Sequence, residues 1–129
     1  MAGTREEVFY IDDSADDRFF AGYNFDRGSY SFTLKIFETG FAAMLDLERR
    51  VARGEDLPRL VVADHYMPVM DGPEFLRLLR ADSAFDSIRL AICSGGDDPA
   101  DIEAGRAAGA ETMLAKPLDF HACAALLKI

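Results

Sequence analysis

The chain is punctuated by short apolar runs, and each ends abruptly on a polar or charged residue. Val8-Phe9-Tyr10-Ile11 runs into Asp12-Asp13, and Leu60-Val61-Val62-Ala63 runs into Asp64. Ile88–Cys93, apolar but for Arg89, ends at Ser94, and Thr112–Ala115 ends at Lys116-Pro117. Short runs of this kind, bounded by turn residues, read as strands buried on both faces. Segment 31–37 behaves differently. Phe32, Leu34 and Ile36 alternate with Ser31, Thr33 and Lys35, the pattern of a strand with one face less buried.

Between these strands the spacing turns helical. Ser14, with Asp17 three residues on, opens a helix whose apolar side is Phe19, Phe20 and Tyr23, with Phe25 near its end; most of these aromatics are expected in the core. Gly40–Arg53 reads as a helix with Met44, Leu47 and Val51 on one stripe. Asp71, as N-cap, and Glu74 open a third helix carrying Phe75, Leu76 and Leu79 to Arg80. Asp97–Ala108 is an Ala-rich helix with Gly105 as its weak point, and Asp119 starts a last helix bearing Phe120, Cys123, Ala124 and Leu127.

Five strands alternating with five helices predict an α/β fold: a doubly wound parallel sheet with helices on both faces. Right-handed crossovers leave few topologies, and the order 2-1-3-4-5 fits best. In that order the first and third strands are neighbours, and ligands bind where their connections diverge. The 129 residues suit one domain, 1–129, without repeat or linker.

Composition narrows the function classes. The 23 acidic residues outnumber 14 basic ones for a net charge of −9, which disfavours a nonspecific grip on nucleic acid and favours cations and basic partner surfaces. Cys93 and Cys123 lie in apolar runs, as packing residues of a reducing compartment do. There is no Cys-x-x-Cys spacing, and His65 and His121 are far apart in sequence. Met1–Glu7 has no signal-peptide core, and no apolar run approaches the ~20 residues of a membrane helix. A cytoplasmic protein that meets no membrane is expected.

The chemistry-bearing residues all sit at strand ends. Asp12, Asp13 and Asp64 leave neighbouring strands about 4.8 Å apart. Two carboxylates 4 Å apart repel by roughly 4 kcal/mol at an effective dielectric of 20, so the cluster calls for a cation. Oxygen-only ligands in an open pocket suit Mg²⁺. Lys116 and Ser94 leave the fifth and fourth strands at the same edge. An ammonium and a hydroxyl facing a metal-bound carboxylate make a place for a phosphoryl group, with Asp64 as nucleophile. Gly95 leaves the approach to that acid clear. A plainer reading stands beside this one: Asp64 as a turn residue, and Asp12 and Asp13 as servants of the following helix.

The acidic pair Asp12-Asp13, the signature Asp64-x-x-Met67-Pro68-x-Met70-Asp71-Gly72, Ser94 thirty residues beyond Asp64, and Lys116-Pro117 together resemble the receiver domain of two-component response regulators. The resemblance covers nearly the whole chain and implies a flavodoxin-like receiver fold. It implies that Asp64 accepts a phosphoryl group from a phosphohistidine on a sensor histidine kinase or a histidine phosphotransfer protein. Mg²⁺ would be held by Asp13, Asp64 and the backbone carbonyl of Tyr66, with Asp12 acting through water. Lys116 would contact the phosphoryl group, and the Lys116–Pro117 bond would be cis. Ser94 would report phosphorylation to the face of the fourth helix, fifth strand and fifth helix, where an output protein or a second copy in a homodimer would bind. Such a receiver is a phosphoacceptor that catalyses only its own phosphorylation and dephosphorylation, rather than an enzyme acting on other substrates.

Three features depart from the family pattern. Met113 stands where a Tyr or Phe usually serves as a rotamer switch, which puts output by that route in doubt but not phosphorylation. His65 and Tyr66 follow Asp64, where an aliphatic and a small or polar residue are common. Tyr66 either overhangs the pocket and slows water attack on the acyl phosphate or is a plain surface aromatic; His65 reads as a satisfied, partly buried histidine. The segment between the first and third strands is also a few residues longer than in compact members. Among rival functions, an Asp-nucleophile phosphohydrolase resembling haloacid-dehalogenase folds would need an Asp at position 66. A flavin or nucleotide module would need a phosphate-cradling loop where Asp12–Asp17 would repel phosphate. A degenerate receiver that binds a partner without phosphorylation stays open on the output side. So does the choice between a stand-alone receiver and a piece of a larger regulator.

Overall fold

The computed structural model describes residues 6–128. Strands and helices alternate: β1 (Glu6–Ile11), α1 (Ala15–Arg27), β2 (Phe32–Phe37), α2 (Gly40–Arg53), β3 (Leu60–Asp64), α3 (Gly72–Arg80), β4 (Arg89–Ser94), α4 (Pro99–Ala107), β5 (Thr112–Ala115) and α5 (Phe120–Leu127). All four strand pairings are parallel, and the sheet order is β2-β1-β3-β4-β5. The fold is the five-stranded doubly wound sheet that the apolar runs predict. Among the described residues no helix is long and apolar enough to cross a membrane.

The pleat divides the core in two. Phe9, Ile11, Val61, Ala63, Leu90 and Ile92 face α2 and α3, where Leu47, Phe75, Leu76 and Leu79 cover them. Their neighbours Val8, Tyr10, Leu60, Val62, Ala91 and Cys93 face α1 and α5, against Ala21, Phe120, Cys123 and Leu127. Successive strand residues point to opposite faces, so this alternation is what a sheet covered on both sides demands. Cys93 and Cys123 are free and buried, and burial pushes both thiols up to about 12. Packing is their role.

Helix α1 inverts its expected orientation. Phe19, Phe20 and Tyr23 are 65%, 54% and 51% exposed, and Ala21 is the buried residue of the helix. Asp17, Arg18, Gly22 and the half-buried Phe25 share the inward side. Helix α2 also departs from its stripe. Leu47 is buried and Met44 partly so, but Val51 is exposed and Asp46 is buried in its place. Asp46 is tolerated because three cations meet it: Lys35 at 2.5 Å, Arg50 at 2.6 Å and Arg49 at 3.1 Å. Burial alone would raise its carboxyl; bonds from Lys35 and Arg50 outweigh that and hold it below the ordinary range. Arg50 reaches on to Glu7, so the cluster ties α2 to β1 and β2. Helix α4 begins at Pro99, after the N-cap Asp98 rather than at Asp97, because proline's missing N–H costs nothing in the first turn.

Candidate functional site

Strand register brings the acids together. Ile11 pairs with Ala63, so the next residues, Asp12 and Asp64, leave adjacent strands side by side. The backbone N–H of Asp12 donates to Phe37 of the neighbouring strand at 3.1 Å, extending the order of β1 by one residue. Oxygens of Asp12, Asp13 and Asp64 all lie within 4.8 Å of one another. Asp12 and Asp64 are buried, whereas Asp13 is exposed at the mouth. Lys116 follows β5, whose pairing to β4 continues as Lys116 N–H donates to the Ser94 carbonyl at 3.0 Å. Its ammonium reaches Asp17 at 2.8 Å, Asp12 at 3.0 Å and Asp64 at 3.1 Å. The Lys116–Pro117 peptide is cis.

The two buried acids are shifted in opposite directions. Burial pushes the Asp64 carboxyl up to about 6, the Asp12 charge adds to the rise, and Lys116 only partly offsets them. Burial would raise Asp12 as well, but hydrogen bonds from the Tyr10 phenol, the Ser14 N–H and Lys116 prevail and hold it low. Lys116 pays some desolvation, yet its three carboxylate partners raise it well above the ordinary lysine value, so it stays charged. The result is a crowded anionic pocket in which the Lys116 ammonium touches three carboxylates while Asp13 stays exposed to solvent. That donor set, carboxylates alone with a solvent-facing edge, fits a hard divalent ion of the Mg²⁺ kind.

The remaining predicted residues surround this centre. Ser94 ends β4, buried, its Oγ accepting the Gly96 N–H at 3.3 Å. A side chain at Gly95 would meet nothing within 4 Å, so the approach is open. Gly72 does the reverse: its N–H donates to the His65 carbonyl at 3.1 Å, and an added Cβ would lie 2.4 Å from the Asp64 carbonyl oxygen. Between them, Met70 N–H bonds back to the Pro68 carbonyl at 2.8 Å, forcing Val69 to φ 72° with its side chain 87% exposed. A β-branched residue in that region costs about 1–2 kcal/mol.

Tyr66 is exposed, and its hydroxyl donates to Asp101 on α4. His65 corrects an expectation. It is buried, but neither ring nitrogen has a hydrogen-bond partner among the described residues, and Nε2 lies 3.7 Å from Asp101 Oδ1. Met113 is half-buried and packs inward against α4, where a Cβ at Gly105 would come within 2.7 Å of its sulfur. Sequence reasoning missed three contributors. Asp17, at the capping-box position, also grips Lys116 with its carboxylate; Arg18 donates to the Asp12 carbonyl at 2.9 Å; and Tyr10 lies beneath Asp12. The available signal was position: Tyr10 is two residues before Asp12 on one strand face, and Asp17 and Arg18 occupy the first turn after the acids.

Comparison with known proteins agrees with this architecture. The family model described as "Response regulator receiver domain" matches residues 8–128. Response regulator Rre1 of Synechocystis sp. is 36% identical over 63 residues, 49% of this chain and 27% of that protein. The chain thus spans about a quarter of the length of the curated relative it matches. A two-component response regulator from Legionella pneumophila superposes with a TM-score of 0.77 at 28% identity, over 95% of each chain. The Mn²⁺-bound form of response regulator Rcp1 shares the fold, with a TM-score of 0.73 at 18% identity over 95% of this chain and 89% of that one. Sheet order, strand-end acids and a match spanning all five strands converge on one assignment: the chain belongs to the response regulator receiver domains.

Proposed function

We propose that Asp64 is the phosphoacceptor of this receiver, taking a phosphoryl group from a phosphohistidine on a sensor histidine kinase or a histidine phosphotransfer protein. One observation carries the reading: the Asp64 carboxylate lies 3.1 Å from a lysine ammonium and belongs to a cluster of acids suited to a divalent ion. In the transfer, an Asp64 oxygen forms a bond to phosphorus as the P–N bond of the donor breaks, and the imidazole leaves. Lys116 and Ser94 meet the phosphoryl oxygens. Asp13, Asp64 and the Tyr66 carbonyl would hold Mg²⁺, with Asp12 bound to it through water; the Mn²⁺ recorded for Rcp1 supports that cofactor class. When bound, the ion neutralises charge on the transferring group. The chain's own part is to align the carboxylate and to supply the fixed ammonium.

Phosphorylation would alter the face of α4, β5 and α5 for an output protein or a second copy. The exposed Phe19, Phe20 and Tyr23, on the helix that follows the acids, give the donor protein an apolar surface to dock on. The test is incubation with Mg²⁺ and phosphoramidate followed by intact mass measurement. One phosphoryl group should be added to the wild type, with none in Asp64→Asn and none with chelator present. Equal labelling of the Asn variant would assign the chemistry to another residue. For docking, Phe19→Ala should slow transfer from the cognate kinase but not from phosphoramidate.

A further inference from the structure

Asp12 has unusual support for a carboxylate. It is fully buried, and a carboxylate offers about four lone-pair directions. The Ser14 N–H takes one on Oδ1 at 2.9 Å; on Oδ2, Lys116 takes one at 3.0 Å and the Tyr10 hydroxyl takes another. These three donors leave Oδ1 room for one further partner. Tyr10 comes from beneath. It is itself 1% exposed, two residues back on the same strand face, with its ring inside the core layer covered by α1 and α5. The phenol is the only one of these three donors contributed by a side chain without charge. A lysine or arginine in its place would also orient Asp12, but it would cancel the negative charge that attracts a cation. A valine or leucine would preserve the charge and leave a buried anion one donor short.

We infer that Tyr10 is a positioning residue for the divalent-ion site, holding the Asp12 carboxylate in one rotamer beside Asp13 and Asp64. The inference rests on the proposed ion-binding role of the acid cluster, and it goes beyond the acids to the residue that seats them. Partners of this kind, behind the groups nearest a metal, typically change affinity 10–100-fold when removed.

The test needs only the ion, with no phosphodonor. Mn²⁺ is titrated calorimetrically into wild type, Tyr10→Phe, Asp12→Asn and the double variant. Tyr10→Phe should raise the Mn²⁺ Kd about tenfold. In the Asp12→Asn background the same substitution should change it less than twofold, because the residue through which Tyr10 acts is gone. An equal loss in both backgrounds would mean general loosening of the core and would overturn the inference, as would an unchanged Kd in Tyr10→Phe. Failure of the wild type to bind Mn²⁺ would instead remove the ion-binding reading, and this inference with it. A second measurement needs no variant: the Tyr10 hydroxyl proton, sheltered from exchange, should shift in NMR spectra on adding Mg²⁺. A hydroxyl resonance that stays in place while the Asp13 amide moves would equally overturn the role.

Discussion

Two glycines mark the difference between the ends of this receiver. Gly72, beside the acids, is pressed against the backbone: a methyl group there would lie 2.4 Å from the Asp64 carbonyl oxygen and 2.9 Å from Ile92. At Gly105, on the α4 flank, the same methyl group would instead meet a side chain, the sulfur of Met113 at 2.7 Å. Backbone cannot move without moving the strand; a thioether can rotate away. The acidic corner is therefore closed by rigid parts and by charge, with Lys116 shared among three carboxylates. The flank toward α4 and β5 is filled by an unbranched, adaptable residue. Packing is unyielding beside the acid cluster and compliant on the flank of α4 and β5. A polar contact crosses from one to the other, Tyr66 to Asp101, with His65 close behind.

That contrast can be attacked from its strongest side first. Lys116→Met should slow phosphorylation by phosphoramidate about 100-fold or more, since it removes the ammonium that faces the developing charge. A mass-spectrometric time course measures it, and a change below threefold would show that the corner does not depend on its cation. Gly72→Ala should cost about 2 kcal/mol in urea unfolding, the usual penalty of forcing an extra carbon against packed atoms that cannot yield. Asp64→Asn, with chelator present, should gain about 1–2 kcal/mol at pH 7. The sign follows from the carboxyl's rise from 3.8 to about 6: the folded state holds its proton more tightly, so the wild type loses stability as pH climbs through that interval. The advantage of the Asn variant should shrink toward zero near pH 4, and an advantage that grew on acidification would contradict the assignment. Gly105→Ala should lie within about 0.5 kcal/mol of wild type, as the helix preference for Ala offsets the shift of Met113. A loss as large as that of Gly72→Ala would erase the contrast between the two ends.

The sheet and the acid cluster were legible in the sequence for one reason. Runs such as Leu60–Ala63 are too short and too apolar to be anything but buried strands, and register alone then makes Asp12 and Asp64 neighbours. Helix α1 was not legible, because helical spacing identifies a stripe but not the direction it faces. Its inward side carries Asp17 and Arg18, which serve Lys116 and the Asp12 backbone, together with the small residues Ala21 and Gly22. The three aromatics were left to the outside. Asp46 escaped notice because its partners Lys35 and Arg50 come from another strand and another turn of the helix. His65 could be placed inside from the strand pattern, but whether its nitrogens found partners depended on α4, which sequence spacing does not position.

Lys35 carries a last consequence. It lies on β2, which ends the sheet, in a strand whose other face is Phe32, Leu34 and Ile36. An apolar margin of that kind invites a strand from another molecule to add on, the first step toward aggregation. A charge in the middle of the margin, anchored by Asp46 rather than left to swing free, makes that addition costly. The same ion pair that secures a helix also helps keep one copy of the protein from templating the next.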